Sequence, residues 1–357
     1  MNSELKLIEA FLQAEIVPLA NKIDRDSKTL KLAFNKMGKR SWLALKVDPA
    51  LGGTGLTETE YRCLQISMAR ASGALTFLQT QHQSAVSKLA QSENKSLQQF
   101  VPDAATGRVT VGVGFSHLRR RGTPMMQARP TATGYLLTGK VPWITGYKFF
   151  DYFIVGAALP DGRELYGLLP FQNQSSKTKG KINFSEPMEL MAVAATNTVS
   201  AEIEEWFLDR DRLVTITPPG AIHGSSRRNI LNHSFFALGC AYAALDLLEK
   251  IAQKKQLDFL NRSWQAFQQE VTKSKTKAIA SMSDPDISYQ QKLQLRVQTI
   301  DLAQRCSLAA VVASSGAANY LHSDVARIYR EALLFSISGQ TTDVMAGSLN
   351  LLQHISS

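Results

Sequence analysis

The spacing of apolar residues changes twice along this chain, and these changes constrain its fold more than any single motif does. In the first part, residues such as Leu5, Ile8 and Leu12 recur three and four positions apart, which is typical of amphipathic helices. From Val109 the spacing becomes two, in short runs bounded by Gly, Pro and Asp-Gly turns, which indicates antiparallel strands. After Arg227 the helical spacing returns and holds to the end. An order of helices, then strands, then helices argues against a doubly wound parallel sheet.

The sequence therefore predicts an α+β protein of three parts, and a chain of 357 residues is long enough for them. We expect an N-terminal α-helical domain over residues 1–108, a middle antiparallel β-barrel domain over 109–216, and a C-terminal four-helix bundle over 217–357. Within the last part, the apolar spacing predicts helices around residues 235–257, 263–282, 288–320 and 325–336.

Charge and hydropathy narrow the class of protein. No apolar run reaches the roughly 18 residues that a membrane-spanning helix needs, and residues 1–20 form an amphipathic pattern rather than a signal peptide. We therefore expect a cytoplasmic protein without membrane insertion. The net charge of +10 would suit an acidic partner. However, the lysines cluster mainly over residues 250–277 without interleaved aromatic residues, so we expect a solvated helix face and no nucleic-acid site.

The three cysteines, Cys63, Cys240 and Cys306, are far apart and lie within apolar helical patterns. None has a Cys or His at the spacing of metal ligands. A free cysteine packs as a small apolar residue. We therefore expect buried structural thiols and no metal site.

Three segments follow one another at compatible spacing. They are Pro49-Ala-Leu-Gly-Gly-Thr-Gly55, Gly139-Lys-Val-Pro-Trp-Ile-Thr145, and a helix beginning Arg327-Ile-Tyr-Arg-Glu-Ala that runs into the turn at 339–344. Together they resemble motifs of the acyl-CoA dehydrogenase family. The first two segments each depart from the family pattern at one position, since Leu51 stands for a Tyr and Gly146, directly after the second segment, stands for an Asn.

This resemblance implies an N-terminal helical domain, a middle β-domain and a C-terminal helical bundle that mediates a homodimer or homotetramer. It also implies FAD as the cofactor and an acyl thioester, on CoA or on an acyl carrier protein, as the substrate. An electron acceptor or a flavin reductase is the implied redox partner. FMN or reduced flavin, or weak FAD binding, remain open at this point, because several dinucleotide contacts of the family are altered in this sequence.

The resemblance assigns flavin contacts to the strand around residue 143. Trp143 and Thr145 match the family's Trp and Thr, and residues two apart on a strand point to the same face. We expect them to supply an apolar wall and a hydrogen-bond donor to the flavin ring. Ser116 matches a hydroxyl that the family places ahead of this strand.

Other cofactor contacts are implied in the C-terminal part. Arg262 matches an Arg that reaches the flavin diphosphate of a neighbouring subunit, although the segment after it is shortened. Thr341 and Asp343 match the Thr and Glu of the final turn. The family's Gly-Gly-x-Gly segment becomes Ser315-Gly-Ala-Ala318, which loses two glycines.

Three consecutive arginines, Arg119, Arg120 and Arg121, form the sharpest local charge cluster of the chain. They replace acidic and Ser-Asp positions of the family's flavin- and substrate-contacting segment. Guanidinium groups bind phosphate through two parallel hydrogen bonds. One hypothesis is that this loop binds a phosphate of the substrate or its carrier; the other is a solvated basic loop.

The family's catalytic base is missing from this sequence. Aligned without a gap, the Glu that removes a proton from the acyl chain falls on Gly339. Some members place this Glu at the start of the C-terminal part, here near Asn229, but no Asp or Glu occurs between Arg212 and Leu245. His233 and Ser338 are the remaining weak candidates for a catalytic role.

Two other histidines, His223 and His117, lie near the relevant regions, and we expect both to be structural. The sequence thus leaves three functions open. The first is an FAD-dependent oxidoreductase acting on an acyl thioester or similar substrate, and the second is a two-component monooxygenase that uses reduced flavin. The third is a non-catalytic binding or structural subunit.

Overall fold

A computed structural model describes residues 3–354. Seven helices come first: α1 (Ser3–Phe11), α2 (Ala20–Arg25), α3 (Ser27–Gly38), α4 (Glu58–Ala71), α5 (Gly73–Ala90), α6 (Lys95–Gln98) and α7 (Val101–Ala105). Local capping sets these boundaries. Thr57 and Glu60, for example, exchange hydrogen bonds with each other's backbone at the start of α4, and this capping box satisfies two free N–H groups of the first turn.

Nine strands follow: β1 (Val111–Gly114), β2 (Met126–Pro130), β3 (Gly134–Ile144), β4 (Tyr152–Ala158), β5 (Glu164–Pro170), β6 (Gln174–Ser176), β7 (Gly180–Phe184), β8 (Val199–Asp209) and β9 (Leu213–Thr217). They form one sheet in the order β6-β7-β8-β3-β2-β4-β5-β9, with β1 beside β4. Within residues 3–354 this path has two ends, β6 and β9, so the predicted barrel is an incompletely closed sheet.

Most pairings in the sheet are antiparallel, but β4 runs parallel to β1 and, at one residue pair, to β2. The β2–β3 hairpin lies between β1 and β4 in the chain. The connection is therefore longer than the dozen or so residues that a parallel crossover needs. The expectation of a purely antiparallel sheet is wrong at these two pairings.

The last part of the chain is helical again: α8 (Ala221–Arg228), α9 (Ser234–Lys255), α10 (Asp258–Ser283), α11 (Tyr289–Ser314), α12 (Asp324–Ile337) and α13 (Thr342–His354). Helix α9 is central, because it packs against α4, α10, α11 and α12. Helices α9 to α12 form the predicted bundle. The helix expected to reach Tyr320 ends at Ser314, because Ser315 takes a φ of 53°.

One buried carboxylate joins the three parts of the chain. Asp24 on α2 is 2% exposed. It accepts a hydrogen bond of 3.0 Å from the backbone N–H of Val193, in the loop before β8, and one of 2.9 Å from Arg330 Nη2 on α12. A buried charge is tolerated only when it is paired and hydrogen-bonded, so these contacts fix how α2, the sheet and α12 meet.

A second buried pair anchors α12 nearby. Arg327 Nη1 lies 2.9 and 3.0 Å from the two carboxylate oxygens of Glu331, and the backbone N–H of Gly73 donates to Glu331 at 3.1 Å. A Cβ on Gly73 would lie only 2.7 Å from this carboxyl carbon. The charged residues of the Arg327-Ile-Tyr-Arg-Glu-Ala segment are therefore used to dock α12 on the N-terminal helices.

Replacing Asp24 should destabilise the whole fold. In Asp24→Ala the Arg330 guanidinium and the Val193 N–H lose their common acceptor, and breaking a buried pair costs about 3 kcal/mol. We expect that loss in the free energy of unfolding measured by urea denaturation. The matched control is Asp246→Ala, which removes the exposed Arg70–Asp246 pair and should cost less than about 1 kcal/mol. Equal losses in the two variants would contradict the role of Asp24.

Candidate functional site

The turn between α12 and α13 meets the start of α9. Gly339 lies in this turn with a φ of 63°. A Cβ built on it would lie 2.4 Å from both Cδ2 and Nε2 of His233. The imidazole ring of His233 therefore occupies the space into which a side chain at position 339 would extend.

Two contacts hold this ring in place. His233 Nδ1 lies 2.9 Å from the hydroxyl oxygen of Ser338, and the ring packs edge-on against Phe236 with centroids 5.5 Å apart. Nε2, on the side of Gly339, has no hydrogen-bond partner within residues 3–354. If Nδ1–H donates to Ser338, Nε2 presents a lone pair; if Ser338 donates to Nδ1, Nε2 carries the proton.

Arg296, in the middle of α11, fixes the backbone around this contact. Its guanidinium donates hydrogen bonds to the carbonyl oxygens of Ile230 at 2.9 Å, Ser338 at 2.8 Å and Gly339 at 3.1 Å. The side chain is buried, and its Nε has no partner within the described part of the chain. The Arg296 guanidinium thus joins the segment before α9 to the turn after α12.

The surroundings keep His233 neutral. Burial lowers the pKa of its imidazole well below the ordinary value, and the nearby charges of Arg296 and Arg119 lower it further. Burial also lowers the pKa of Arg296, to about 10, so that arginine stays charged at neutral pH. An uncharged imidazole can donate or accept a hydrogen bond, and it adds a positive charge to the site only while it holds a second proton.

Arg119 enters the same site from the β-domain. It ends the short 3-10 turn Ser116–Arg119, which follows β1 and packs against β3, β4 and α8. Its Nε donates a 3.0 Å hydrogen bond to the hydroxyl of Ser226 on α8. Arg120 and Arg121 are exposed. The predicted arginine cluster is therefore divided, with one member turned inward and two facing solvent.

Trp143 and Thr145 differ in exposure. Trp143 is 48% exposed, whereas Thr145 is buried and hydrogen-bonds Thr198 through the two hydroxyls at 3.0 Å. The pairing of β3 with β8 shifts register between Val141 and Ile144, and β3 ends at Ile144, so Thr145 lies just beyond the strand. The half-exposed indole and the buried hydroxyl lie at the end of β3, beside the turn that holds Arg119.

The remaining predicted cofactor contacts are scattered. Ser116 is exposed beside Arg119, and Arg262 is exposed on α10. The hydroxyl of Thr341 accepts from the N–H of Val344 at the start of α13. Asp343 accepts a 2.7 Å hydrogen bond from the hydroxyl of Tyr289. The structure thus places Thr341 and Asp343 directly after the Gly339 turn and leaves Arg262 away from it.

The other histidines differ from His233 in their surroundings. His117 is buried, and its Nε2 lies 2.9 Å from the carbonyl oxygen of Gly156. This contact anchors the turn that carries Arg119, a structural role. His223 is exposed on α8. Two surface cavities, of about 440 and 380 Å³, are lined by other parts of the chain. Neither cavity is lined by His233, Gly339 or Arg296.

Comparisons with known proteins agree with the resemblance. The model of the acyl-CoA dehydrogenase N-terminal domain matches residues 5–108. Over 284 residues the chain is 24% identical to a 3-(aryl)acrylate reductase of Clostridium sporogenes, covering 77% of this chain and 75% of that protein. The N-terminal part of the chain thus matches the acyl-CoA dehydrogenase family.

Solved structures agree on the fold. It superposes on a glutaryl-CoA dehydrogenase of Mycobacterium smegmatis in complex with FADH2 with a TM-score of 0.81, 15% identity and coverage of 99% and 95% of the two chains. Against the butyryl-CoA dehydrogenase of Megasphaera elsdenii the TM-score is 0.75, with 16% identity and coverage of 98% and 97%. The helical, sheet and helical order predicted from the sequence is therefore confirmed.

Sequence reasoning missed two residues of the site, Arg296 and Tyr289, both on α11. The available signal for Arg296 was its position among the buried residues Leu293, Val297 and Ile300, where a charged residue is unusual. Tyr289 gave no such signal, because it is the first residue of its helix.

The contact between positions 339 and 233 can be measured as a coupling energy. We expect Gly339→Ala to lower the free energy of unfolding by about 3 kcal/mol, through positive-φ strain and the clash with the His233 ring. In a His233→Ala background the clash is absent, so the same substitution should cost only about 1 kcal/mol. Urea denaturation of the unchanged protein, Gly339→Ala, His233→Ala and the double variant gives a double-mutant cycle, from which the coupling energy is obtained.

Gly122→Ala provides the matched control for this cycle. Gly122 has a φ of 93°, and nothing lies within 4 Å of a Cβ built on it. Its substitution should therefore cost about 1 kcal/mol in either background. If Gly339→Ala costs no more than Gly122→Ala in the protein with His233, the ring does not occupy the space beside Gly339.

Proposed function

We propose that this protein is a flavin-dependent oxidoreductase that acts on the α,β-carbon bond of an acyl compound, with His233 in the place of the family's carboxylate base. The contact between His233 and Gly339 supports this most directly. The position that would hold the base in the family is a glycine, and the volume beside it holds a polar ring. A side chain able to hold or release a proton therefore remains at the reacting end of the site.

The residues at the end of β3 suit a flavin. A half-exposed Trp143 offers an apolar surface, and the Thr145 hydroxyl, bonded to one other hydroxyl, keeps hydrogen-bonding capacity. These two residues would hold the ring system, and Thr341 and Asp343 are the proposed contacts to the rest of the cofactor. When bound, a flavin accepts or supplies a hydride.

The chain's own residues would position and move the proton. In the tautomer with Nδ1–H donating to Ser338, the Nε2 lone pair of His233 can accept a proton from an acyl α-carbon. For the reverse direction the ring must first take up a proton, and the imidazolium Nε2–H can then donate it, as reduction of a double bond requires, which leaves the neutral ring. Arg296 holds the Ser338 and Gly339 backbone in place for either direction.

The relatives support this class of reaction. One is described as a 3-(aryl)acrylate reductase and another was solved with FADH2. We therefore propose a flavin as the cofactor, and a substrate with a conjugated or saturated acyl group. A separate redox protein is the proposed electron partner.

A second candidate is a two-component monooxygenase that receives reduced flavin. It is favoured by one observation: within residues 3–354 no carboxylate pairs with the two arginines beside His233. A reaction of this class needs no carboxylate base at position 339.

The deciding experiment is anaerobic flavin spectroscopy of purified protein supplied with FAD. We expect a resolved flavin band that is bleached by an acyl-CoA, or whose reduced form is reoxidised by a 3-arylacrylate. His233→Gln should bind flavin equally well but react about 100-fold or more slowly, because a positioned acid or base contributes at least that factor.

His223→Gln is the matched control, since it removes an exposed histidine from the neighbouring helix. It should leave both binding and rate unchanged. A protein that binds no flavin would rule out the proposal. A reduced flavin that reacts with oxygen but with no acyl compound would favour the monooxygenase instead. Full activity in His233→Gln would show that His233 is not the proton carrier.

A further inference from the structure

In the described part of the chain, residues 3–354, two arginines of the site have no acidic partner. Arg296 is 2% exposed, and its guanidinium donates to three backbone carbonyl groups. Arg119 is part-buried, and its Nε donates a hydrogen bond to the Ser226 hydroxyl. Within residues 3–354 neither guanidinium lies within 4 Å of a carboxylate, and neither terminal nitrogen of Arg119 has a hydrogen-bond partner.

The other buried arginines of this chain differ. Arg62 pairs with Glu58, and Arg327 pairs with Glu331. The part-buried Arg330 pairs with Asp24. A buried charge without a counter-charge costs several kcal/mol, and a carboxylate offsets that cost for these three arginines. The part-buried Arg212 lies over the rings of Phe100 and Tyr152 instead. Within residues 3–354, Arg119 and Arg296 have neither a carboxylate nor a ring against the guanidinium.

Nearby side chains do not supply the missing charge. The titratable group that acts most favourably on Arg119 is Tyr166, and on Arg296 it is Tyr289. Burial and a neighbouring carboxylate raise the pKa of both phenols, so both are neutral at physiological pH. His233, whose pKa is lowered by burial and by the charges of both arginines, is neutral as well. The site therefore has a positive charge that is open to an anion.

We infer that the site binds the free carboxylate of its substrate, with the two terminal nitrogens of Arg119 as the donors and Arg296 as a fixed charge behind the Gly339 turn. The terminal nitrogens of a guanidinium form a fork that matches the two oxygens of a carboxylate. This inference rests on the proposed function, because it names the substrate class of the same site: a free carboxylic acid rather than a thioester.

The position of the anion fits the proposed proton transfer. The α-carbon of a carboxylic acid is bonded directly to its carboxylate carbon. A carboxylate held between Arg119 and the Gly339 turn therefore brings the α-carbon to the side of His233 on which Nε2 lies. The charge that the family places on the protein would in this chain be placed on the ligand.

Binding of an acid and of its uncharged amide tests the inference without turnover. The probes are 3-phenylacrylate, 3-phenylpropionate and hexanoate with their carboxamides, measured by isothermal titration calorimetry on the full chain, with and without FAD. At least one acid should bind about 10- to 100-fold more tightly than its amide, as expected for a charge-assisted hydrogen bond.

Three variants test whether the preference for the acid over its amide depends on Arg119. Arg119→Gln should abolish the preference for the acid, and Arg119→Lys should restore part of it. Arg120→Gln is the matched control, because it removes the same charge from the adjacent exposed residue and should keep the preference. Equal binding of acid and amide, an equal loss in the Arg119→Gln and Arg120→Gln variants, or no binding of any acid would overturn the inference.

The two proposals fail in different ways. If the chain binds no FAD but prefers the acids through Arg119, the oxidoreductase function is wrong and the carboxylate site stands. If FAD binds and acyl-CoA thioesters react while free acids and amides bind alike, the oxidoreductase function stands and the carboxylate site is wrong.

Discussion

The hydrogen bonds from Arg296 to three backbone carbonyls are the constraint on which the site depends. They join the residue at position 230, before α9, to the turn at 338–339, after α12. Without this common donor, one buried and two part-buried carbonyl groups would lose a charged partner. Because the two segments are held together, the His233 ring lies where a side chain at position 339 would lie. The geometry of the candidate site is thus set by Arg296, a residue whose own hydrogen bonds go to backbone carbonyl groups.

The segment that resembles the family's closing motif contains residues with a structural task and, at position 339, a glycine. Glu331 and Arg330 dock α12 on the N-terminal helices through Gly73 and Asp24. These contacts are buried and would be costly to lose. The space beside Gly339 is filled by the ring of His233, which lies directly before α9.

The sequence predicted the three-part order, because the period of apolar residues changes where the fold changes. It also singled out Gly339, His233 and Ser338, although only the structure shows that they touch. Two features of the site could not be predicted from the sequence. Arg296 joins segments that are distant in sequence, and the inward turn of Arg119 depends on Ser226, more than a hundred residues away. The end of β3 before Thr145 was also not predictable, because a register shift is not visible in a residue pattern.

The central claim is that a neutral His233 ring is held against the Gly339 turn. The most direct measurement is an NMR titration of ring nitrogens in ¹⁵N-histidine-labelled protein, with the His233 signal assigned by its absence in His233→Gln. The account predicts a neutral ring in one dominant tautomer from pH 8 to well below the ordinary histidine pKa of about 6.5, because burial and the neighbouring arginines oppose its protonation. A ring that titrates near that ordinary value, or that exchanges between tautomers as an exposed histidine does, would contradict it.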